Sequence, residues 1–283
     1  MENSYLKNIK NTVFTPSTPQ DCVKILPDGT STASREELLT EHYLQVYLNE
    51  SLVMELTCTP THLEELVLGR LYSEGMIRSI DEIDYFYLCE SGNTAKVFLK
   101  ETVDADHVLE EDTNVPTCCT NNKVYWKSDE DIQPVLPIEW HSEWIFKLAE
   151  TFEKDTSLHK QTYGTHSSFL AVKDKILFIS EDIGRHNAID KVIGMALKEG
   201  LDLTHTLVFT SGRVPTDMVA KVIRARIPIF ISKAAPTKQS VELASQYNLT
   251  LIAGAHSDKL KICVSPMDTY CQLPPKPPKK QQK

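Results

Sequence analysis

Apolar residues recur along this chain in two rhythms, and the change from one to the other falls near the middle. Residues 42–49 (HYLQVYLN) and 51–59 (SLVMELTCT) alternate apolar with polar positions on either side of a short turn, which predicts a β-hairpin. Next comes THLEELVLGRLYSEGMI, with Leu63, Leu66, Val67, Leu71 and Ile77 at helical spacing. Thr61, three residues before Glu64, reads as a capping box for that helix. Residues 83–90 and 95–103 read as two more strands around a Ser91-Gly92-Asn93 turn.

After Pro134 and Pro137 the pattern alternates strands with helices in units of about 20 residues. The expected order is a helix at HSEWIFKLAETFEK, a hairpin at SFLAVKDKILFIS and a helix at HNAIDKVIGMALKEG. It continues with strand TLVFTS, helix TDMVAKVIRAR, strand IPIFIS, helix QSVELASQYN and strand LTLIAGA. Ile189, Val192, Ile193, Ala196 and Leu197 make one stripe on the helix from His186, which Gly200 should end. The expected organisation is a loosely ordered lead-in (1–40), a β-rich α+β unit (41–134), an α/β domain (135–272) and a Pro/Lys tail (273–283).

Composition narrows the class. With 30 Lys+Arg against 39 Asp+Glu the net charge is -9, which argues against nucleic acid or an anionic membrane as partner. No window approaches the ~18 apolar residues of a spanning helix, and the first twenty residues lack the apolar stretch of a secretory signal. A cytoplasmic protein is expected, so the seven cysteines read as thiols. Cys58, Cys89, Cys263 and Cys271 are expected to be buried or inert, whereas Cys118 and Cys119 share a turn-rich loop after an acidic run.

Metal binding is not expected. His62-Leu63-Glu64 matches the first half of a zinc deaminase signature, but no Pro-Cys-x-x-Cys follows to complete the ligand set.

Three strands of the second half end in polar loops that open helices. They offer Gly184, Arg185 and His186, then Ser211, Gly212 and Arg213, then Ser232, Lys233 and Thr237. At the carboxyl edge of an open α/β sheet such loops should converge on an anionic, nucleotide-like ligand. Each loop taken singly also has a structural reading, with Asp182 or Asn187 capping the helix and Arg185 paired to Glu181 or Asp190.

The run EDIGRHNAIDK (181–191) resembles the formate dehydrogenase accessory protein family, FdhD. Ser211-Gly212-Arg213, Met218-Val219, Lys221, Ile227-Pro228 and Ala235-Pro236-Thr237 resemble further landmarks of that family in order. So do Asn49, CTPTHLEEL from Cys58, and the segment holding Gly69, Leu71, Ser73, Glu74 and Gly75. Thr162, Gly164 and His166 resemble its TGG-x-H segment, with Tyr163 in place of the first glycine. The resemblance spans most of residues 41–264.

It implies an α/β fold, a cytidine-deaminase-like mixed sheet with helices on both faces and no zinc site, preceded by the smaller β-rich unit. The implied activity is that of a sulfurtransferase. A cysteine desulfurase would load a persulfide that passes to the molybdenum cofactor, bis-molybdopterin guanine dinucleotide, for formate dehydrogenase. Where the family commonly reads Cys-Gly-x-Cys-Gly, Cys118 matches the first Cys, Cys119 falls at the Gly and Asn121 replaces the second Cys. Cys118 is therefore the expected persulfide carrier and Cys119 a substitute or resolving thiol.

The family's late cofactor-binding segment corresponds to Gly254, Ala255, His256, Ser257, Asp258 and Lys259, with His256 where Arg is usual. Together with the three loops, these residues make up the expected guanine nucleotide site. A homodimer through an exposed edge of the β-rich unit is expected. The alternative function is a non-catalytic cofactor-binding chaperone for formate dehydrogenase maturation, and a weaker one is an enzyme acting on nucleotides.

Overall fold

The computed structural model describes residues 14–103, 123–124, 132–155 and 157–267. The second half builds a six-stranded mixed sheet. Its strands are β8 (His166–Val172), β9 (Lys175–Asp182), β10 (Leu207–Thr210), β11 (Ile229–Ser232), β12 (Thr250–Ala253) and β13 (Lys261–Val264), in the spatial order β13-β12-β11-β10-β8-β9. Strands β10, β11 and β12 run parallel, and the remaining pairs are antiparallel. Alternation along these short runs sends Leu170, Val208, Phe230 and Leu251 to one face, and Phe169, Phe209, Ile231 and Ile252 to the other.

Helices cover both faces. On the first lie α4 (Arg185–Lys198), α5 (Thr216–Arg224) and α6 (Lys238–Gln246), whose buried side chains include Ile189, Val192, Met218, Val222 and Ala244. On the second lies α2 (Ser142–Asp155), whose Ile145, Leu148, Ala149 and Phe152 repeat at helical spacing. A short helix, α3 (Ser157–Thr162), follows it.

The first half forms a five-stranded sheet ordered β5-β6-β3-β4-β7, from β3 (His42–Leu48), β4 (Ser51–Cys58), β5 (Ile83–Leu88), β6 (Thr94–Leu99) and β7 (Lys123–Val124). One face packs on the apolar side of α1 (Leu63–Ser73) through Leu66, Val67 and Leu71. Residues 17–39, expected to be part of a loose lead-in, instead pair as a separate hairpin, β1 (Ser17–Ile25) with β2 (Ser31–Leu39). Both of its faces are largely solvent-exposed, so no burial periodicity marks it.

The two halves join through α1 and α4. A Cβ added at Gly69 would lie 1.8 Å from the Asp190 carbonyl oxygen, and one added at Gly194 would lie 1.9 Å from that of Glu65. The helices therefore cross backbone to backbone, which only residues without a side chain permit. Around the crossing Arg70 Nη1 reaches Asp190 Oδ2 at 3.1 Å, and Lys221 Nζ binds Asp190 Oδ1, Glu74 Oε1 and Ser73 Oγ at 2.8–2.9 Å. Burial alone would raise the Glu74 carboxyl; Lys221, Arg70 and Arg224 outweigh it and hold that group far below the usual carboxylate range.

The expected capping box is not formed. His62, with φ +51, occupies the N-cap of α1 and makes no side-chain cap, while Thr61 Oγ1 accepts from Lys191 Nζ at 3.1 Å. The fully buried ammonium takes that acceptor in place of water.

Candidate functional site

Strands β9, β10, β11 and β12 all end at one edge of the six-stranded sheet, where β8 begins. The loops leaving that edge interlock. Ser232 Oγ donates to the Gly212 carbonyl at 2.7 Å and accepts from Ala234 N at 2.9 Å. Val214 N donates to Ala235 O, Thr237 N to Val214 O, Gly254 N to Ala234 O and Ala255 N to Ser232 O. A Cβ at Gly212 would lie 2.9 Å from Arg185 Cβ, so this glycine leaves room for the arginine stem.

The expected binding residues divide by exposure. Arg213, Thr237, Ser257, Asp258 and Lys259 are exposed, and His256 is partly so. Gly184, Arg185, His186, Gly212, Ser232 and Ala255 are buried beneath them, with Ser211 and Gly254 between the two groups. Arg213 has no hydrogen bond or ion pair among the described residues, so its guanidinium is open to an anion. Thr237 Oγ1 caps α6 by accepting from Ser240 N at 3.2 Å. His186 Nε2 lies 3.1 Å from Asp217 Oδ2, and its Nδ1 is buried with no hydrogen-bond partner among the described residues.

Beside the head of α4, expected to cradle a phosphate, lies a carboxylate of the chain itself. Asp182 Oδ1 accepts from Gly184 N and from Asn187 Nδ2, while Oδ2 accepts from Thr59 N and pairs with Lys191 Nζ at 2.6 Å. Asn187 donates also to Thr57 O. The carboxylates weighed as Arg185 partners are engaged elsewhere, Glu181 with the Leu158 and His159 amides and Asp190 with Arg70 and Lys221. Much of the 181–191 motif thus works inward, and the residues open to a ligand are those of the later loops.

His166, at the start of β8, faces this edge. Its Nδ1 lies 3.3 Å from Ser211 Oγ, which also accepts the Ser167 amide at 3.0 Å. Burial, then Arg185, His159 and His186, lower the His166 pKa from 6.5, with Asp182 opposing. The ring is neutral at pH 7, and its Nδ1 can accept the Ser211 proton. Tyr163, which stands where the resembling pattern has glycine, is held at φ +54.

One contact set was not legible in the sequence. Glu153, in the last turn of α2, receives Ser257 Oγ at 3.1 Å on Oε2, while His256 Nδ1 and Lys233 Nζ lie 3.6 and 3.9 Å from Oε1. Lys233 Nζ also sits 5.7 Å above the Phe152 ring. Only helix periodicity marks Glu153 in the sequence, as a polar position beside the buried Phe152.

The described thiols differ. Cys58 is fully buried, and desolvation followed by Asp182 pushes its pKa far up; burial also raises Cys263. At Cys89, which is part-exposed and not buried, burial opposes, but hydrogen bonds from Ser91, Thr94 and Asn93 prevail and lower the pKa. Cys118, Cys119 and Cys271 lie outside the described residues, as does the 273–283 tail. Among the described residues no three His, Cys, Asp or Glu side chains are grouped so that they could hold a metal ion; Glu64 is buried and paired with Lys198 at 3.1 Å. No helix among the described residues is long and apolar enough to cross a membrane.

A sequence profile of the FdhD/NarQ family matches residues 39–268. The chain belongs to the FdhD/NarQ family. Among its FdhD relatives, "Sulfur carrier protein FdhD" of Listeria innocua serovar 6a is 30% identical over 239 residues, 83% of this chain and 92% of that protein. The protein of the same name from Bacillus subtilis (strain 168) is 31% identical over 235 residues, 82% and 89% of the two chains. A crystal structure described as a formate dehydrogenase accessory protein, from Desulfotalea psychrophila, superposes with a TM-score of 0.72 at 25% identity, covering 89% of this chain and 98% of that one. The α/β fold with its second, β-rich unit is thus that of the FdhD family.

Proposed function

We propose that this protein is a sulfur carrier for formate dehydrogenase maturation, taking sulfane sulfur from a cysteine desulfurase and delivering it to a molybdenum cofactor. The observation that carries this reading is its match over 83% of the chain to a protein named as a sulfur carrier, together with a cysteine at the position where the family's loop begins. The thiolate of Cys118 attacks the outer sulfur of the desulfurase persulfide, the donor's S–S bond breaks, and the desulfurase cysteine leaves as a thiolate. With the cofactor substrate in place, attack by the Cys119 thiolate on the inner sulfur of Cys118 would form a Cys118–Cys119 disulfide and expel the outer sulfur as hydrosulfide to that substrate. An external dithiol reduces the disulfide and resets the carrier.

The cofactor is the substrate, and its phosphates suit the strand-end edge. Exposed Arg213 and Lys259 line that edge on a chain of net charge -9. The single replacements Cys118→Ala and Cys119→Ala, each incubated with a desulfurase and cysteine, test the transfer by intact mass. Added sulfur is expected on the wild type and on Cys119→Ala, and none on Cys118→Ala. A double replacement that still matures formate dehydrogenase in cells would reject sulfur carriage in favour of a chaperone.

A further inference from the structure

Glu153 stands where a carboxylate is electrostatically misplaced. It lies in the last turn of α2, where the helix macrodipole repels negative charge. The groups around it compensate for that cost, and they come from two strand-end loops: Lys233 from the loop after β11, and His256 and Ser257 from the loop after β12. These are three donors around one carboxylate, at the mouth of the edge assigned to the cofactor's phosphates. Lys233 is folded back over Phe152 toward this carboxylate.

We infer that Glu153 is an internal competitor for the anionic ligand: its carboxylate holds Lys233, His256 and Ser257 in the free protein, and a diphosphate-bearing ligand takes these groups over. The inference rests on the reading that this edge binds the cofactor's phosphates, and it goes further by assigning a selectivity element. A monoanion competes poorly with a carboxylate already in place, whereas a diphosphate carries enough charge to displace it. Glu153 therefore sets a lower limit on ligand charge and keeps small cellular anions out. All four side chains reach solvent, which leaves the exchange open.

Titration calorimetry of the full chain with sodium pyrophosphate, and separately with sodium phosphate, tests this. Glu153→Gln keeps the shape and removes the competitor. It is expected to bind pyrophosphate about fivefold to tenfold more tightly than wild type, as for one like charge removed near an anion. It is also expected to gain measurable phosphate binding. Both gains should shrink between about 50 mM and about 500 mM salt.

Glu150→Gln changes net charge equally on the same helix, but Glu150 pairs with Lys154 away from the loops, so its affinity should match wild type. Equal tightening by Glu150→Gln would overturn the inference as a general charge effect. If Glu153→Gln binds no tighter than wild type while Arg213→Ala loses pyrophosphate, the competitor role is wrong and the phosphate edge stands. If wild type, Glu153→Gln and Arg213→Ala all fail to bind, the phosphate edge and the competitor role are both rejected.

Discussion

Lys191 and Asp182 form an ion pair in which neither side chain reaches solvent, with Nζ 2.6 Å from Oδ2. The ammonium also donates to Thr59 O and Thr61 Oγ1, so the pair fastens α4 to the segment joining β4 and α1. Lys191→Met removes the counter-ion and strands Asp182 in a dry interior, with an expected loss of about 3–5 kcal/mol. Urea unfolding at pH 7 measures it. A loss below about 1 kcal/mol would show that Asp182 finds a proton or water cheaply.

The glycine crossing makes a sharper demand. Gly69→Ala and Gly194→Ala each press a methyl group onto a carbonyl that belongs to helix backbone and cannot rotate aside. Each should cost more than the ~1–3 kcal/mol of ordinary overpacking, because separating the helices also parts Arg70 from Asp190. Gly200, at φ +65 with open space around it, is the contrast: Gly200→Ala is expected to cost about 1 kcal/mol. Thermal melts of the three variants rank them, and a wild-type melt for Gly69→Ala would refute the close crossing.

Acid should act on Glu74. Its folded carboxyl titrates below the ordinary 4.5, so the stability it supplies is complete above that pH and is lost as pH falls toward the lower folded value. Glu74→Gln should therefore be less stable than wild type at pH 7 by about 2–4 kcal/mol. The gap should close on acidification below pH 4.5. A gap that stays constant from pH 7 to pH 3 would mean that Glu74 is not the titrating group.

His166 responds in a milder range. Its folded pKa lies below 6.5, so the unfolded chain binds the proton first, and stability falls as pH drops below 6.5. Protonation also makes Nδ1 a donor only, so that it can no longer accept from the Ser211 hydroxyl 3.3 Å away. An NMR titration of the His166 ring should give a midpoint under 6.5, rising in Arg185→Met as the neighbouring cation is removed. A midpoint above 6.5 in the wild type would sink the assignment.

What the sequence disclosed and what it hid follow from where each partner lies. Strands β10, β11 and β12 announce themselves as apolar runs because both faces are covered, and α2 and α4 do so through their stripes. The β1–β2 hairpin escaped because exposed faces leave no period of two, and β13 and α3 are too short to show a period at all. At the site, the converging loops were readable from chain order. The inward work of Asp182, Asp190 and Lys191 was not, since their partners Thr59, Arg70 and Thr61 lie over a hundred residues earlier. Glu153 was hidden because its partners Lys233, His256 and Ser257 lie 80 or more residues later in the chain.

The α1–α4 crossing also bears on the order in which the chain is made. More than a hundred residues separate the end of α1 from the start of α4. At ~5–20 residues per second, a ribosome takes at least several seconds to supply that partner. Until then the nascent β-rich unit exposes the bare backbone at Gly69 and an Arg70 that has Glu74 beside it but not yet its second carboxylate, Asp190. The first half to be synthesised is thus completed only by the second, and a stalled or truncated chain presents quality-control factors with a half-covered helix.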